Sequence, residues 1–278
     1  MDTLVSMVRR LADSPIPAAW SLAAAFLAIC SLTMSAYLWK TRAPLDPVEA
    51  TLARLESVDA PLRERVCAHR ANNVPKYRAA RQAFNCIEID VVLVPPAGGA
   101  PAVYHPPHDN HHGLTLEFLL ANEAMPAGKL WLDVKDLGEG TWTTLLELLS
   151  GLIPPERRAD TIIETGWADP SVRSAALAFR EKGFLFSYYL PTEEALACGS
   201  ERSASCDELR EQVLLTTSMG FSHLSFDARN RVFLQSIRDR MPASVRLLTW
   251  DLSQSWPQPG LIDEVDVYIV KFPVPYST

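Results

Sequence analysis

The chain has 278 residues, of which 48% are hydrophobic and 21% are charged, and this composition excludes disordered, collagen-like and disulfide-framework proteins. Its 26 Lys and Arg residues against 33 Asp and Glu residues give a formal net charge of −7 without a basic stripe, which argues against a nucleic-acid partner. The mean hydropathy of +0.02 is too low for a protein with many membrane spans.

The first predicted element is a transmembrane helix at residues 18–39, which follows a short tail at residues 1–17. The segment contains no charged residue and is bracketed by Arg10 and Lys40. Its length at about 1.5 Å per residue covers a hydrocarbon core of about 30 Å. A cleaved signal peptide is the alternative, but the apolar run exceeds the usual length of a signal-peptide core. We therefore expect an uncleaved anchor and a single-pass membrane protein.

The orientation of this anchor is left open by its charges, because basic residues stand on both sides of it. A short tail before the span and a large domain after it favour an extracytoplasmic domain. Cys198 and Cys206 flank a polar loop, and they either close a small disulfide on an oxidising side or remain free thiols. Cys67 and Cys86 lie in apolar, strand-like runs and are expected to be small core residues.

Residues 40–63 are predicted to be a linker followed by an amphipathic helix. Pro44 and Pro47 mark the linker. Apolar residues then recur at helical spacing, and they are Val48, Leu52, Leu55, Val58 and Leu62.

Residues 64–278 alternate between strand-like and helix-like segments. The eight strand-like runs are Arg65–His69, Cys86–Val94, Lys129–Lys135, Thr161–Thr165, Leu185–Leu190, Phe221–Phe226, Val245–Asp251 and Asp266–Phe272. The helix-like stretches are Val74–Phe84, Leu114–Asn122, Trp142–Leu149, Ser171–Lys182, Cys206–Ser218 and Asn230–Arg240. This order predicts a (β/α)8 TIM barrel. An open doubly wound sheet is the competing fold, although no glycine-rich phosphate loop follows the first strand.

Carboxylates are concentrated on the second and third strands. Side chains alternate between faces, so Glu88 and Asp90 share one face of the second strand. Asp133 and Lys135 share one face of the third strand in the same way. Carboxylates that share a buried face repel one another unless a cation lies between them, and a hard divalent ion is the simplest cation for oxygen ligands.

Two histidines stand near these carboxylates, since His69 ends the first strand and His105 follows the second. Two imidazoles beside a carboxylate cluster are sufficient for acid–base phosphoryl chemistry. His108 is the alternative to His105. A zinc site in this His-rich stretch, which also holds His111 and His112, is disfavoured because the spacing matches no standard zinc motif.

These residues resemble the phospholipase-C-like phosphodiesterase barrels. The resemblance rests on His69-x-x-Asn72, Glu88-x-Asp90, His105 and Leu132–Lys135, within residues 66–137. That superfamily includes glycerophosphodiester phosphodiesterases and sphingomyelinase D type enzymes, and the His-Pro-Pro run at residue 105 looks closer to the menorin domain family. The resemblance departs from glycerophosphodiesterases at Ala71, where those enzymes have Gly.

The resemblance implies roles for the site residues. Glu88, Asp90 and Asp133 would hold one Mg²⁺ or Ca²⁺, while His69 and His105 would act as nucleophile or base and as general acid. The substrate would be a phospholipid-derived phosphodiester, and the residues implied to bind it are Arg70, Asn72, Lys135 and Trp250. Weaker candidates for the barrel mouth are Glu164, Tyr188, Asp227, Asp251 and Lys271.

Three functions are therefore expected, in decreasing order. The first is a membrane-anchored, metal-dependent phosphodiester hydrolase or lyase that acts on glycerophosphodiesters or phospholipid headgroups. The second is a non-catalytic extracytoplasmic binding module that retains the barrel. The third is a glycoside hydrolase, since paired carboxylates also serve that chemistry.

Overall fold

The structure, a computed structural model, describes residues 53–57, 60–95, 98–107, 113–251, 260–261 and 263–272. The chain divides after Ala50, and all the described residues belong to the unit that begins at Thr51. The predicted tail, transmembrane helix and linker at residues 1–47 lie outside them. Within the described ranges no helix is both long enough and apolar enough to span a bilayer. Residues 53–57 of the predicted amphipathic helix are helical, and Leu55 is buried.

The described part of the chain holds eight parallel strands and one short antiparallel strand, β3 (Ala102–Val103), which pairs with β2. The parallel strands are β1 (Val66–His69), β2 (Cys86–Val92), β4 (Leu130–Val134), β5 (Thr161–Thr165), β6 (Leu185–Tyr189), β7 (His223–Asp227), β8 (Arg246–Trp250) and β9 (Val267–Lys271). Each pairs with its neighbour along the chain, and β1 pairs with both β9 and β2. The sheet is therefore closed, so the predicted barrel is confirmed and the open doubly wound sheet is wrong.

Helices follow most of the strands. They are α1 (Ala60–Glu64), α2 (Val74–Ala83), α3 (Leu116–Asn122), α4 (Trp142–Leu152), α5 (Pro155–Arg158), α6 (Val172–Glu181), α7 (Thr192–Cys198), α8 (Ala204–Ser218) and α9 (Arg231–Gln235). The short helices α5 and α7 were not predicted, because four to seven residues are too few to show a helical period. The Asn73 side chain caps α2 by accepting a hydrogen bond from the backbone N–H of Lys76 at 2.8 Å.

Two disulfides lie in the described residues, and one of them corrects the sequence-based interpretation. Cys67 and Cys86 are completely buried, as expected of core residues, but they are bonded to each other across β1 and β2. The expectation that they are unlinked core residues is therefore wrong, because parallel pairing places them directly opposite each other. Cys198 and Cys206, whose state the sequence left open, form the second disulfide between α7 and α8.

The two ends of the barrel differ in chemistry. At the N-terminal end, His223 begins β7 and is 3% exposed, with its Nδ1 at 2.8 Å from the Ser222 hydroxyl. Burial lowers the pKa of His223 to about 4, and the attraction of Asp266 is offset by the charges of Lys129 and Arg246. The C-terminal end carries the polar residues of the predicted site.

Stability is expected to depend on pH through His223. The folded chain keeps this imidazole neutral down to a pH of about 4, whereas the unfolded chain protonates it near pH 6.5. The unfolded state therefore binds more protons between these values, and the contribution of His223 to stability is lost as the pH falls through them, on the order of 3 kcal/mol. Denaturant unfolding between pH 7.5 and 4 should show a smaller loss for His223→Gln than for the wild type. Equal losses in the two proteins would contradict this assignment.

Candidate active site

A cavity of about 120 Å³ opens at the C-terminal end of the barrel. Residues from seven of the eight parallel strands or from the segments that follow them line it. They are His69, Arg70, Glu88, His105, Trp131, Asp133, Lys135, Glu164, Tyr189, Trp250 and Ile269. Beneath it the barrel interior is apolar and includes the Cys67–Cys86 disulfide. The polar groups are thus confined to one end, where catalytic residues of such barrels are found.

The centre of this site is a carboxylate cluster formed by Glu88, Asp90 and Asp133. Each residue offers an oxygen, and the three oxygens lie within 4.8 Å of one another. The register of β2 and β4 places Asp90 directly opposite Asp133, which explains why the two carboxylates meet. Glu88 and Asp90 are each 1% exposed. The predicted convergence of these three acids is what the structure shows.

Lys135 is the cation inside the carboxylate cluster. Its Nζ lies 2.7 Å from Oδ1 of Asp90 and also makes a short ion pair with Oδ2 of Asp133. Burial opposes ionisation of Asp90, but Lys135 and a hydrogen bond from Asn72 outweigh it and lower the pKa of Asp90. Burial likewise raises the pKa of Asp133, and Lys135 only partly offsets this. The implied role of Lys135 as a phosphate ligand stays a prediction, because its ammonium is bound to the two carboxylates here.

Glu88 is held by the backbone that leaves β1. The N–H of Arg70 donates to Oε2 of Glu88 at 2.6 Å, and the N–H of Ala71 donates to the Glu88 carbonyl at 2.9 Å. Arg70 adopts a φ of 53°, a left-handed conformation that is unfavourable for a residue with a side chain. Burial and the charge of Asp90 nevertheless raise the pKa of Glu88 well above its usual range. The cluster therefore has more negative charge than its own cations neutralise.

The carboxylate cluster fits a divalent ion. Oxygen ligands lie about 2.0–2.6 Å from Mg²⁺ or Ca²⁺, so two oxygens bound to one ion are at most about 5 Å apart. The 4.8 Å limit of the cluster meets this condition. Three carboxylates face one ammonium, and the Nε of Arg70 lies 3.7 Å from Asp90. A dication bound by Glu88, Asp90 and Asp133 would remove the remaining repulsion.

Both predicted histidines lie at the cavity. The Nε2 of His69 is 3.9 Å from Oε2 of Glu88, and the Nε2 of His105 is 4.0 Å from Oδ1 of Asp90. Burial and the nearby Arg70 guanidinium lower the pKa of His69 to about 3. His69 is consequently neutral at physiological pH, as a base or a nucleophile must be. The alternatives His108, His111 and His112 lie outside the described residues.

Asn72 contacts Asp90 through both ends of its amide. Its Nδ2 donates to Oδ2 of Asp90 at 2.7 Å, and its Oδ1 accepts from the Asp90 backbone N–H at 2.9 Å. Asn72 therefore fixes the orientation of a carboxylate in the cluster. Its implied contact with a substrate phosphate stays a prediction.

An aromatic pair forms one wall of the cavity. Trp250, a predicted site residue, stacks on Tyr189 with ring centroids 5.2 Å apart. The weaker candidate Tyr188 is instead buried in the core, where its ring contacts Phe221. Successive residues of a strand face opposite sides, so an error of one position in β6 selected the wrong tyrosine.

Glu164 completes the acidic lining. It is 2% exposed, lies beside Asp133 in the register of β4 and β5, and its Oε2 has no hydrogen-bond partner among the described residues. Burial and the charge of Asp133 raise its pKa well above its usual range. Of the other weak candidates, Asp227 pairs with Arg229, and neither Asp251 nor Lys271 lines the cavity.

Divalent ions are expected to stabilise the protein through the carboxylate cluster. Mg²⁺ or Ca²⁺ at about 100 times its Kd would add about 2.7 kcal/mol, or roughly 5–10 °C in Tm for a domain of this size. Thermal unfolding with and without the ion should show this shift for the wild type and little or none for Asp90→Asn. Glu123→Gln is the matched control, because Glu123 is a buried acid paired with Arg78 away from the cavity. An equal shift in Asp90→Asn would place the ion elsewhere.

Comparison with known proteins does not add to this description. No family model matches the chain, and no curated protein matches it either. The interpretation of the site therefore rests on its own geometry and on the chemistry of its residues.

Proposed function

We propose that the protein is a metal-dependent phosphodiesterase, a hydrolase or lyase, with glycerophosphodiesters or phospholipid headgroup esters as its substrates. One observation carries this proposal. Two imidazoles lie 3.9 and 4.0 Å from the members of a carboxylate cluster that fits a dication, and all of them meet in one cavity. This set of groups combines charge neutralisation with proton transfer, which phosphodiester cleavage needs.

The residues of the chain would divide the reaction between them. Glu88, Asp90 and Asp133 would hold the ion, which supplies neutralisation of the charge on the phosphoryl oxygens. Neutral His69 is available to attack phosphorus or to accept a proton from the attacking hydroxyl. His105 then donates a proton to the leaving oxygen. In a lyase the attacking hydroxyl belongs to the substrate itself, and in a hydrolase it belongs to water.

The location of the protein agrees with a lipid-derived substrate. A membrane anchor at residues 18–39 would keep the barrel beside the bilayer from which such substrates come. The two disulfides support an extracytoplasmic barrel, since disulfides persist on the oxidising side of a membrane. We include both features in the proposal.

Glycoside hydrolysis is the less favoured chemistry for the same acids. The two catalytic carboxyl groups of glycosidases are typically about 5–9.5 Å apart, with room for a sugar or a water between them. The oxygens of the carboxylate cluster lie within 4.8 Å of one another, and Lys135 pairs with two of the acids. This spacing suits an ion better than a sugar ring.

A non-catalytic binding module is the second candidate, and Lys135 is the observation that favours it. Its ammonium already bridges Asp90 and Asp133, so it would allow the cluster to persist without a metal. In that case the barrel would bind a ligand at the aromatic wall of Tyr189 and Trp250 without turning it over.

The test is an assay of the full-length protein in detergent with glycerophosphocholine, lysophosphatidylcholine and sphingomyelin. Cleavage should disappear with a chelator and return with Mg²⁺ or Ca²⁺. His69→Gln and His105→Gln should each lower kcat by about 10²- to 10⁴-fold, the range for loss of a general acid or base. His223→Gln is the matched control, because it removes a buried imidazole at the opposite end of the barrel.

Turnover that survives the chelator or the Glu88→Gln substitution would overturn the metal-dependent mechanism. Ion binding or ligand binding without cleavage of any of these esters would support the binding module instead.

A further inference from the structure

The pairing of β1 with β2, called the seam below, closes the barrel with the fewest paired residues. Only Cys67 with Cys86 and Ala68 with Ile87 are in register there. By comparison, β1 has four such pairs with β9, and β2 has five with β4. Backbone pairing alone therefore constrains the relative position of β1 and β2 less than that of their other neighbours.

The Cys67–Cys86 disulfide occupies one of the two pairs of the seam. Both residues are 0% exposed and pack in the barrel interior against side chains such as Trp131 and Ile269. The bond therefore joins the two strands covalently where their hydrogen-bonded ladder is short.

The disulfide lies one layer below the candidate active site. Side chains two residues apart on a strand share a face, so Cys67 is followed on its face by His69, and Cys86 by Glu88. Contacts across the seam also build the site. Arg70 donates to Glu88 at 2.6 Å, and the two hydrogen bonds between Asn72 and Asp90 measure 2.7 and 2.9 Å.

We propose that the Cys67–Cys86 disulfide is a positioning element for the active site. It fixes β1 against β2, and so sets His69 and the Arg70 amide relative to Glu88 and sets Asn72 relative to Asp90. The carboxylate cluster then acquires its ion-binding geometry only in the oxidised protein. The activity readout of this inference rests on the proposed phosphodiesterase function, whereas its hydrogen-exchange and ion-binding readouts do not.

The second disulfide provides a matched control within the same chain. Cys198 and Cys206 contribute no residue to the cavity. Their loop is also held without the disulfide, because the buried Arg210 donates to the carbonyls of Gly199 at 3.2 Å and Glu201 at 2.6 Å. Removing this disulfide should leave the carboxylate cluster unchanged.

The first experiment maps the disulfides of the unreduced full-length protein by peptide mass spectrometry. A linked pair of peptides that contain Cys67 and Cys86 is expected. Recovery of these two cysteines as free thiols would overturn the inference.

The second experiment compares Cys67→Ala/Cys86→Ala with Cys198→Ala/Cys206→Ala in the full-length chain. In the seam variant, amide hydrogen exchange should accelerate at least tenfold at Arg70 and Asp90, with no change in β7 and β8, and the Kd for Mg²⁺ should rise at least tenfold. The control variant should change neither quantity by more than twofold. A seam variant with a lower Tm but unchanged exchange at these amides would show a purely structural disulfide and overturn the proposal.

If the seam variant does not fold, wild-type protein is treated with a water-soluble phosphine. Phosphine and water reduce each disulfide to two thiols, and the phosphine becomes its oxide. Rapid alkylation at successive times should show that exchange at Arg70 and Asp90 accelerates together with reduction of Cys67–Cys86 and not with that of Cys198–Cys206. Unchanged exchange after both disulfides are reduced would overturn the proposal. Intact exchange and ion-binding effects in a protein without esterase turnover would refute only the proposed function.

Discussion

The repulsion among buried carboxylates is the constraint around which the upper half of the barrel is organised. Glu88 and Asp90 are nearly inaccessible to water, and Asp133 lies opposite Asp90. Ionised acids this close are tolerated in a poorly solvated site only when cations and N–H donors surround them. Lys135, the Arg70 amide and Asn72 supply this surrounding from three segments, so the cluster links β1, β2 and β4 to one another.

This organisation explains why the polar residues are so unevenly distributed along the barrel. The interior below the cavity contains apolar side chains such as Ile162, Leu248 and Val267. An apolar layer beneath the charges keeps the local dielectric low and strengthens the interaction of the acids with any bound cation. It also means that the site depends on the exact height at which the strands are fixed, since no polar group below could compensate for a shifted carboxylate.

Much of the fold could be predicted from the sequence, because eight apolar runs separated by helical periods limit the architecture to two parallel folds. The carboxylate cluster was also predictable, since alternation alone places Glu88 and Asp90 on one face. The choice between Tyr188 and Tyr189 was not, because β6 is apolar on both faces and its pattern does not say which side faces the barrel axis. The Cys67–Cys86 bond was missed for a related reason. Which residues of β1 and β2 stand opposite each other is set by barrel closure, a property of the whole chain.

The left-handed conformation of Arg70 separates two tasks within a single residue. Its backbone N–H turns inward to Glu88, while its guanidinium remains about one-third exposed at the cavity. Glycine would adopt the same φ without a steric cost and would keep the inward hydrogen bond. The electrical character of the entrance can therefore be altered at this position while the anchoring of Glu88 is preserved, which makes residue 70 a place where ligand preference can diverge without rebuilding the acids underneath.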